Sequence, residues 1–197
     1  MGTRDQILDA AATIMRTRGV VHATTKEIAK AAGYSEAALY KHFSDKEDLI
    51  LNVLRHRMPD PVGARPEPGT ATVPANLAAI ARAALRFYQQ SLPLLGGLLA
   101  QPQRMAVHRD AMRRHGAGPG HAIAGIAEYL GAERELGRID ADAEVDTVAA
   151  LLDGACFHQA FLRFYESGPD ATPAPDRLAE SLARTLTRAL GTGEASD

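Results

Sequence analysis

The stretch Thr24–Leu49 reads TTKEIAKAAGYSEAALYKHFSDKEDL, and its pattern decides the fold. Residues 24–27 and 44–47 each fit a capping box, in which a hydroxyl and a carboxylate reciprocally satisfy the free backbone donors of a new helix. Gly33 interrupts the first helical pattern, and Ser35 is suited to cap the helix that follows. The stretch therefore predicts two short helices joined by a tight turn, a helix-turn-helix.

The rest of the chain also supports only helix, so we predict an all-α fold. Alanine is abundant, and apolar residues recur with a period near 3.6 rather than alternating with polar ones. Thr3 to Gln6 fits a further capping box, and Gly19 is suited to end the first helix. About nine helices are expected. They cover 3–18, 25–32, 36–43 and 45–57, then a long helix from Pro74, a segment over 92–115 that breaks near Pro102, a helix around 123–130, and finally 143–166 and 174–190.

The length and composition fit a globular protein with a small domain joined to a larger one. The chain has 197 residues, of which 46% are hydrophobic and 23% charged, an ordinary globular composition. Residues 58–73 contain four prolines and two glycines, which disfavour helix and predict a linker. The predicted domains are therefore a helix-turn-helix domain over 1–57, the linker over 58–73, and a helical domain over 74–197.

Charge and composition narrow the class of protein. Residues 1–58 carry a formal charge of +2 and residues 59–197 one of -4, within a total of -2, so an anionic partner is expected at the N-terminal end. No apolar run is long enough for a membrane span, and the polar N-terminus does not resemble a secretory signal. Cys156 is the single cysteine, which excludes an internal disulfide. We expect a soluble cytoplasmic protein with no membrane partner.

The second short helix has the pattern of a recognition helix. Leu39 and Phe43 lie four apart and can anchor one face to the core. The remaining surface carries Glu36, Ala37, Ala38, Tyr40, Lys41 and His42. Small residues near the start can enter a DNA major groove, and polar or cationic ones can contact base edges and phosphates. Lys46 lies in the first turn of the next helix, where its cation and the free backbone amides can face a phosphate.

Thr24–Leu49 resembles the DNA-binding signature of the TetR family of bacterial transcriptional regulators. The matching elements are Ile28-Ala29, Ala32-Gly33-Tyr34-Ser35, Leu39-Tyr40-Lys41-His42-Phe43 and Lys46-Glu47-Asp48-Leu49. The resemblance is strong over residues 5–57 and only architectural beyond them. It implies an all-helical homodimer with an N-terminal three-helix helix-turn-helix DNA-binding domain and a C-terminal effector-binding and dimerisation domain. Such a dimer binds a palindromic operator on double-stranded DNA, usually as a repressor released by a small-molecule effector.

The resemblance also assigns roles to individual residues. Positions that commonly contact phosphates in the family are matched by Thr25, Tyr40, His42 and Lys46. Base-facing positions are matched by Glu36, Ala37, Ala38 and Lys41. Glu36 can accept a hydrogen bond from a cytosine amino group, and Lys41 can donate to guanine or to a phosphate. Tyr34 and Ser35 complete the expected DNA-contacting set. The alternatives are that Tyr40 only covers the edge of the core and that Lys41 is only a solvated charge.

The larger domain is expected to hold an unidentified small-molecule effector. Pockets between helices are mostly apolar with a few polar groups. The candidate lining residues are Phe87, Tyr88, Met105, His108, Met112, Phe157, His158 and Phe161. The same residues also suit an ordinary core, and composition does not separate the two interpretations.

The last two predicted helices suit one half of a four-helix dimer interface. The helix over 143–166 is apolar nearly all round and must be covered on both sides, and the helix over 174–190 carries a narrower apolar stripe. The expected interface residues are Leu152, Gly154, Phe161, Leu178, Leu182 and Leu186. An intramolecular core is the alternative.

The alternative class of function is a helical enzyme or metal-binding module with an incidental helix-turn-helix. His108 and His115 are seven apart and can share a helix face, whereas Cys156 and His158 are two apart and lie well apart around one helix. Neither spacing is diagnostic of a metal site or of a Cys-His nucleophile. The sequence contains no Gly-rich phosphate loop, HExxH or GxSxG. We therefore expect no catalytic residue, no metal and no cofactor.

Overall fold

The computed structural model describes residues 2–58, 65–114 and 118–191, and within these ranges every regular element is helical. The elements are α1 (Thr3–His22), α2 (Thr25–Ala31), α3 (Glu36–Tyr40), α4 (Lys46–His56), α5 (Val73–Leu99), α6 (Pro102–Arg114), α7 (Gly120–Glu135), α8 (Val145–Ser167) and α9 (Asp176–Ala189), with a short 3-10 turn over Gly168–Asp170. The all-α prediction is confirmed. No helix among the described residues combines the length and apolarity that crossing a membrane requires.

Helix starts follow the predicted caps at α2 and α3 and differ at α1 and α4. Thr24 and Glu27 form the capping box of α2. The box predicted at the start of α1 is wrong, because Thr3 is already helical and Gly2 is the N-cap. At α4 the cap is Asp45, one residue later than predicted, and its carboxylate accepts from the backbone N–H of Asp48 at 2.8 Å. A carboxylate is an effective N-cap because it accepts a free donor and also complements the helix dipole.

Gly19 and Tyr40 mark two further differences. Gly19 adopts φ 77°, a left-handed conformation that suits glycine, so the regular helix breaks there as predicted, but helical residues resume up to His22. α3 ends at Tyr40 rather than at Phe43. Beyond it the chain tightens, because the backbone N–H groups of both His42 and Phe43 donate to the carbonyl oxygen of Leu39.

The chain divides into two compact units. Unit 1 comprises Met1–Pro59 and Gln89–Gly118, and unit 2 comprises Asp60–Tyr88 and Pro119–Asp197. The division falls inside α5, after Tyr88. The helix-turn-helix thus shares its unit with α6 and the second part of α5, residues that the sequence-based division assigned to the larger domain. The domain boundaries themselves stay a prediction.

In unit 1, α1 packs against α2 and α4. The buried core includes Ile7, Leu8, Met15, Ile28, Leu39, Phe43, Leu49 and Ile50. Arg57 follows α4 and forms ion pairs with Asp5 at 2.9 Å and Asp9 at 2.5 Å. These pairs connect the end of α4 to the N-terminal half of α1. The hydrogen bond from Arg57 lowers the pKa of Asp5, and the two carboxylates raise the pKa of Arg57. Arg4 lies over the ring of Phe43, with its guanidinium carbon 5.5 Å from the ring centroid.

In unit 2, the first part of α5 packs with α7, α8 and α9 around an apolar core. A buried polar network holds the segment before α5 in place. Glu133 is fully buried, accepts from the Tyr129 hydroxyl at 2.7 Å and forms an ion pair with Arg138 at 3.1 Å. It also accepts from the backbone N–H of Gly69 at 3.3 Å. A buried carboxylate is tolerated only with such partners.

Candidate nucleic-acid interface

The turn between α2 and α3 is built from local hydrogen bonds. Gly33 has φ 82°, a left-handed conformation that favours glycine, and the backbone N–H of Tyr34 donates to the carbonyl oxygen of Ala29 at 2.9 Å. The Ser35 hydroxyl then accepts from the backbone N–H of Ala38 at 3.2 Å and caps α3. Ser35, predicted as a DNA contact, thus already serves as the helix cap.

α3 presents one face to the core and the other to solvent. Leu39 and Phe43 are buried, as the pattern predicted. Five of the predicted DNA-contacting residues are exposed: Ser35 at the cap, and Ala37, Tyr40, Lys41 and His42 after it. Tyr40 is 48% exposed, which does not fit the alternative that it only covers the edge of the core. The exposed face is therefore free to meet a partner.

A hydrogen-bonded cluster joins α2 to α3 beside this face. The Thr25 hydroxyl donates to Glu36 Oε1 at 2.5 Å and lies 3.2 Å from the Tyr40 hydroxyl. The three side chains belong to residues predicted to contact phosphates or bases. Their mutual contacts orient them before any partner arrives, which lowers the entropic cost of binding.

Tyr34 is tied to the first helix rather than left free. Its hydroxyl donates to the Gln6 side chain and accepts from the Thr3 hydroxyl at 3.4 Å. Gln6 thus contacts the turn instead of closing a capping box. The contact fixes the turn against α1 and leaves Tyr34 half-buried.

Lys46 lies in the first turn of α4, as predicted, but it makes a contact that the sequence did not predict. Its ammonium group donates to the carbonyl oxygen of Val20 at 2.6 Å and is half-buried. Burial lowers the pKa of Lys46, and the nearby charge of Arg104 lowers it further. The side chain therefore stabilises the end of α1.

The other side of α4 packs against α6 within unit 1. His108 Nδ1 lies 3.5 Å from Glu47 Oε2, and both atoms are buried without a hydrogen bond. The His108 side chain is only 8% exposed. Beside this pair is a cavity of about 340 Å³, lined by residues of α4 and its cap together with Ala111 and Arg114. His108 is thus a packing contact of α4.

The comparisons with known proteins agree with this geometry. A family model described as bacterial regulatory proteins, tetR family, matches residues 7–53. The transcriptional repressor KstR2 of Rhodococcus jostii is 40% identical over 62 residues, 32% of this chain and 30% of that protein. The transcriptional regulator AcrR of Shigella flexneri is 45% identical over 51 residues, 26% of this chain and 24% of that protein. Over its N-terminal helices the chain is therefore similar to regulators of the tetR family.

Solved structures extend the similarity to the whole fold. GusR of Salmonella enterica has a TM-score of 0.70 at 23% identity, with 95% of each chain covered. The fatty acid degradation regulator FadR of Bacillus halodurans has a TM-score of 0.69 at 19% identity, again with 95% of each chain covered. At these identities the similarity shows a shared fold. The sequence match to the two regulators above spans less than a third of either one's length.

The residues predicted to line an effector pocket fall into two groups. Met105, His108 and Met112 belong to unit 1, whereas Phe87, Tyr88, Phe157, His158 and Phe161 belong to unit 2. In unit 2, the ring of Tyr88 lies 5.3 Å from the rings of both Phe87 and Phe157, edge to face. A single pocket lined by all eight residues therefore stays a prediction.

Asp153 is the functional candidate that sequence reasoning missed. The Tyr88 hydroxyl donates to both of its oxygens, at 2.8 and 2.9 Å, and the carboxylate is almost fully buried. Burial raises the pKa of Asp153, against the opposing effect of the Tyr88 hydrogen bond. The pKa of Tyr88 is raised as well. Burial is the main cause, and the hydrogen bond to Asp153 raises this pKa further. The sequence offered one signal for this site, an aspartate within the apolar pattern of α8.

The expected interface residues differ in exposure. Leu152 is fully buried in its own chain's core, so it has no surface left for a second copy, and its assignment to the interface is corrected. Leu178, Leu182 and Leu186 pack partly against the same core. Gly154 is exposed, and Phe161 is 44% exposed.

The structure gives no support to the metal or nucleophile alternatives. Among the described residues no group of three His, Cys, Asp or Glu side chains is placed to hold a metal ion, and His115 lies outside those residues. Cys156 is fully buried, and burial raises the pKa of its thiol to about 12, so it stays protonated and unreactive at neutral pH. His158 is exposed on another side of α8.

Proposed function

We propose that this chain is a sequence-specific DNA-binding transcriptional regulator, a repressor that a small-molecule effector releases from its operator. The observation that carries the proposal is the exposed face of α3, with Ala37, Tyr40, Lys41 and His42 held outward by the buried Leu39 and Phe43. The family match over residues 7–53 covers this helix-turn-helix. Repression is favoured because a matching relative, KstR2, is named a transcriptional repressor.

In the proposed complex, α3 enters the major groove with its N-terminal end toward the bases. Ala37 and Ala38 permit close approach, and Glu36 and Lys41 are the side chains that distinguish bases. Thr25, Tyr40 and His42 contact phosphates at the margins of the groove, and Lys46 adds a cation at the start of α4. Tyr34 and Ser35 fix the turn beside the DNA backbone. Phosphate contacts set register, whereas base contacts set specificity.

The operator is proposed to be palindromic because the protein is proposed to act as a homodimer. Two recognition helices related by a two-fold axis reach successive major grooves about 34–36 Å apart. The proposed dimer surface is on α8, where large apolar side chains are exposed at Leu151, Phe161 and Tyr165. An exposed apolar stripe of this kind favours association. Leu178, Leu182 and Leu186 of α9 border it.

The effector is proposed to bind in unit 2 beside the aromatic group formed by Phe87, Tyr88 and Phe157. Aromatic faces accept an apolar ligand body, and the buried Asp153 offers a polar group that fixes its orientation. The effector must favour a dimer in which the separation of the two recognition helices does not fit the operator. A ligand shifts an equilibrium only when it binds one of the two states better. Such a bacterial gene regulator acts where the DNA is, in the cytoplasm.

The proposal is tested with a labelled fragment of the DNA upstream of the protein's own coding sequence. We expect binding that survives an excess of unrelated DNA, with two protomers per site and an affinity that falls steeply with salt. The variant Lys41→Ala should weaken it, whereas Lys30→Ala, an exposed lysine of α2 outside the predicted set, should not. Equal binding to upstream and unrelated DNA would contradict a sequence-specific regulator.

A further inference from the structure

A cavity of about 460 Å³ lies between α8 and α9 in unit 2, and Leu178, which borders the proposed dimer surface, is among its lining residues. Its lining includes Gln159, Arg163, Arg177, Leu178, Ser181 and Arg184. The spacing of these residues along α8 and α9 explains why they line one groove. Gln159 and Arg163 are four apart on α8, and Arg177, Ser181 and Arg184 follow one face of α9 at intervals of four and three. Because α8 and α9 pack side by side, the two rows face one groove.

The groove is strongly cationic. Three guanidinium groups line it, and no carboxylate is among its lining residues. Within the described part of the chain, Arg163, Arg177 and Arg184 form no ion pair with an acidic side chain. Three like charges around one concavity repel each other, and an anion between them would remove that repulsion.

Arg163 supplies an independent sign of a missing partner. Its Nε is buried and has no hydrogen-bond acceptor among the described residues. A buried donor without an acceptor costs free energy, and native proteins rarely leave one so. An oxyanion in the groove would accept this bond.

The start of α9 contributes to the same surface. Pro175 lines the cavity and is the N-cap of this 14-residue helix, and no side chain caps the helix. The positive end of the helix dipole therefore lies beside the groove. Uncapped helix starts of this kind favour anions.

We propose that this arginine groove binds a small soluble ligand that carries two or more phosphate groups. Guanidinium groups match phosphate oxygens with paired N–H donors, which favours phosphate over a single carboxylate. Leu178 and Pro175 provide apolar surface for the organic part of such a ligand, and Ser181 and Gln159 provide neutral hydrogen-bonding groups. The site is separate from both the helix-turn-helix and the aromatic group around Tyr88, and it does not depend on the proposed regulatory function.

The test uses inorganic tripolyphosphate as the probe and the full-length chain. Isothermal titration should give saturable binding, and thermal unfolding should shift upward with ligand concentration. Arg184→Gln should raise the dissociation constant about tenfold. Arg163→Gln combined with Arg184→Gln should abolish measurable binding. The matched control is Arg188→Gln, which removes an equal charge from an exposed position of α9 outside the cavity. Sodium chloride at matched ionic strength controls for screening.

Further experiments distinguish this groove from other sites and other partners. Lys41→Ala should leave tripolyphosphate binding intact; loss of binding in that variant would place the anion on the helix-turn-helix and overturn the proposal. Circular dichroism and unchanged DNA binding show that the double variant is folded. If the double variant instead binds tripolyphosphate normally but dissociates into monomers in sedimentation, the arginines serve a second copy of the chain. Cosedimentation with phosphatidylglycerol vesicles, without binding of free tripolyphosphate, would assign a lipid headgroup and overturn the soluble ligand.

Discussion

The ammonium group of Lys46 donates a hydrogen bond of 2.6 Å to the backbone carbonyl oxygen of Val20. Lys46 begins α4, and Val20 follows the break at Gly19 in α1. The bond joins two helices of unit 1 next to the helix-turn-helix. A lysine ammonium carries three donors, so one bond to Val20 leaves two for a phosphate. The structural and DNA-contacting roles of this side chain are therefore compatible, and experiment can separate them.

Lys46→Ala is expected to lower the free energy of unfolding by about 1 kcal/mol, because it leaves a carbonyl oxygen without its donor at a partly exposed site. Urea denaturation measures this change. Lys26→Ala, at an exposed position of α2, is the control and should have no effect. If Lys46 also contacts a phosphate, the slope of log affinity against log salt becomes shallower by about 1. Unchanged stability would show that the Val20 bond contributes nothing.

Glu36→Gln is expected to change base preference at one position in each half-site. The substitution keeps the shape of the side chain and its contact with Thr25, but it exchanges an acceptor of cytosine amino groups for an amide that pairs with adenine. Selection from a randomised operator library measures the preference. Glu27→Gln, in the capping box of α2, should alter stability and leave the preference as it is. An unaltered preference in Glu36→Gln would limit Glu36 to positioning Thr25 and Tyr40.

The helix-turn-helix could be predicted from sequence because its signals are local. Thr24 and Glu27 are three apart, and the Ser35 hydroxyl caps α3 by accepting from the backbone N–H of Ala38, three residues on. Gly33 supplies the left-handed residue within the same short stretch. Each signal depends on neighbours within one turn of helix, so pattern alone reveals it.

The side-chain contacts between helices could not be predicted, because they join residues far apart in the chain. Lys46 and Val20 are 26 residues apart, and Tyr88 and Asp153 are 65 apart. Such pairs meet only when helices pack, and helical periodicity shows which face is buried without naming what covers it. For the same reason Leu152 was assigned to an interface although its own chain buries it.

Asp153→Asn is expected to change how stability depends on pH. Burial raises the pKa of Asp153 above its ordinary value of 3.8, so the folded protein holds this proton more tightly than the unfolded chain. The contribution of Asp153 to stability is therefore complete below 3.8 and is lost as pH rises through the raised pKa. The unfolding free energy of the wild type minus that of Asp153→Asn should fall over this window. Urea titrations at several pH values measure it, and a difference independent of pH would exclude the raised pKa.

Phe161→Arg is expected to dissociate the proposed dimer. The side chain is 44% exposed on α8, so the substitution is tolerated by the single chain but buries an unpaired charge in an interface. The dimer dissociation constant should rise by about a hundredfold or more, as measured by sedimentation velocity. Leu136→Arg, at an exposed leucine outside α8, is the control. A Phe161→Arg protein that remains dimeric would exclude this face. Leu182→Arg is a less direct test, because Leu182 packs partly on its own core.

We propose that an effector signal reaches the recognition helix through the contact between α4 and α6. Leu51 of α4 is 4% exposed and lines the cavity of about 340 Å³ together with Ala111 of α6. Lys46 at the start of α4 and Arg57 after its end both contact α1. A displacement of α4 would therefore be passed to α1, then to α2, which packs on α1, and so to α3. The covalent alternative is the segment over 58–73, whose sequence contains four prolines, residues that disfavour helix.

Shortening the 58–73 segment by two or three residues is therefore expected to leave induction largely intact, whereas Leu51→Ala or Leu54→Ala should uncouple effector from DNA while both still bind. Leu51→Ala enlarges an existing cavity and costs about 2–3 kcal/mol, so Leu8→Ala in α1 serves as a control for destabilisation alone. The measurement is DNA release by an effector found by screening, in parallel with the affinity of each variant for DNA and for effector. Reciprocity requires that a variant with no effector-induced release also shows no DNA-induced loss of effector affinity. Loss of induction on trimming the segment, with Leu51 and Leu54 variants unaffected, would show that the signal travels through the segment and not through the helix contact.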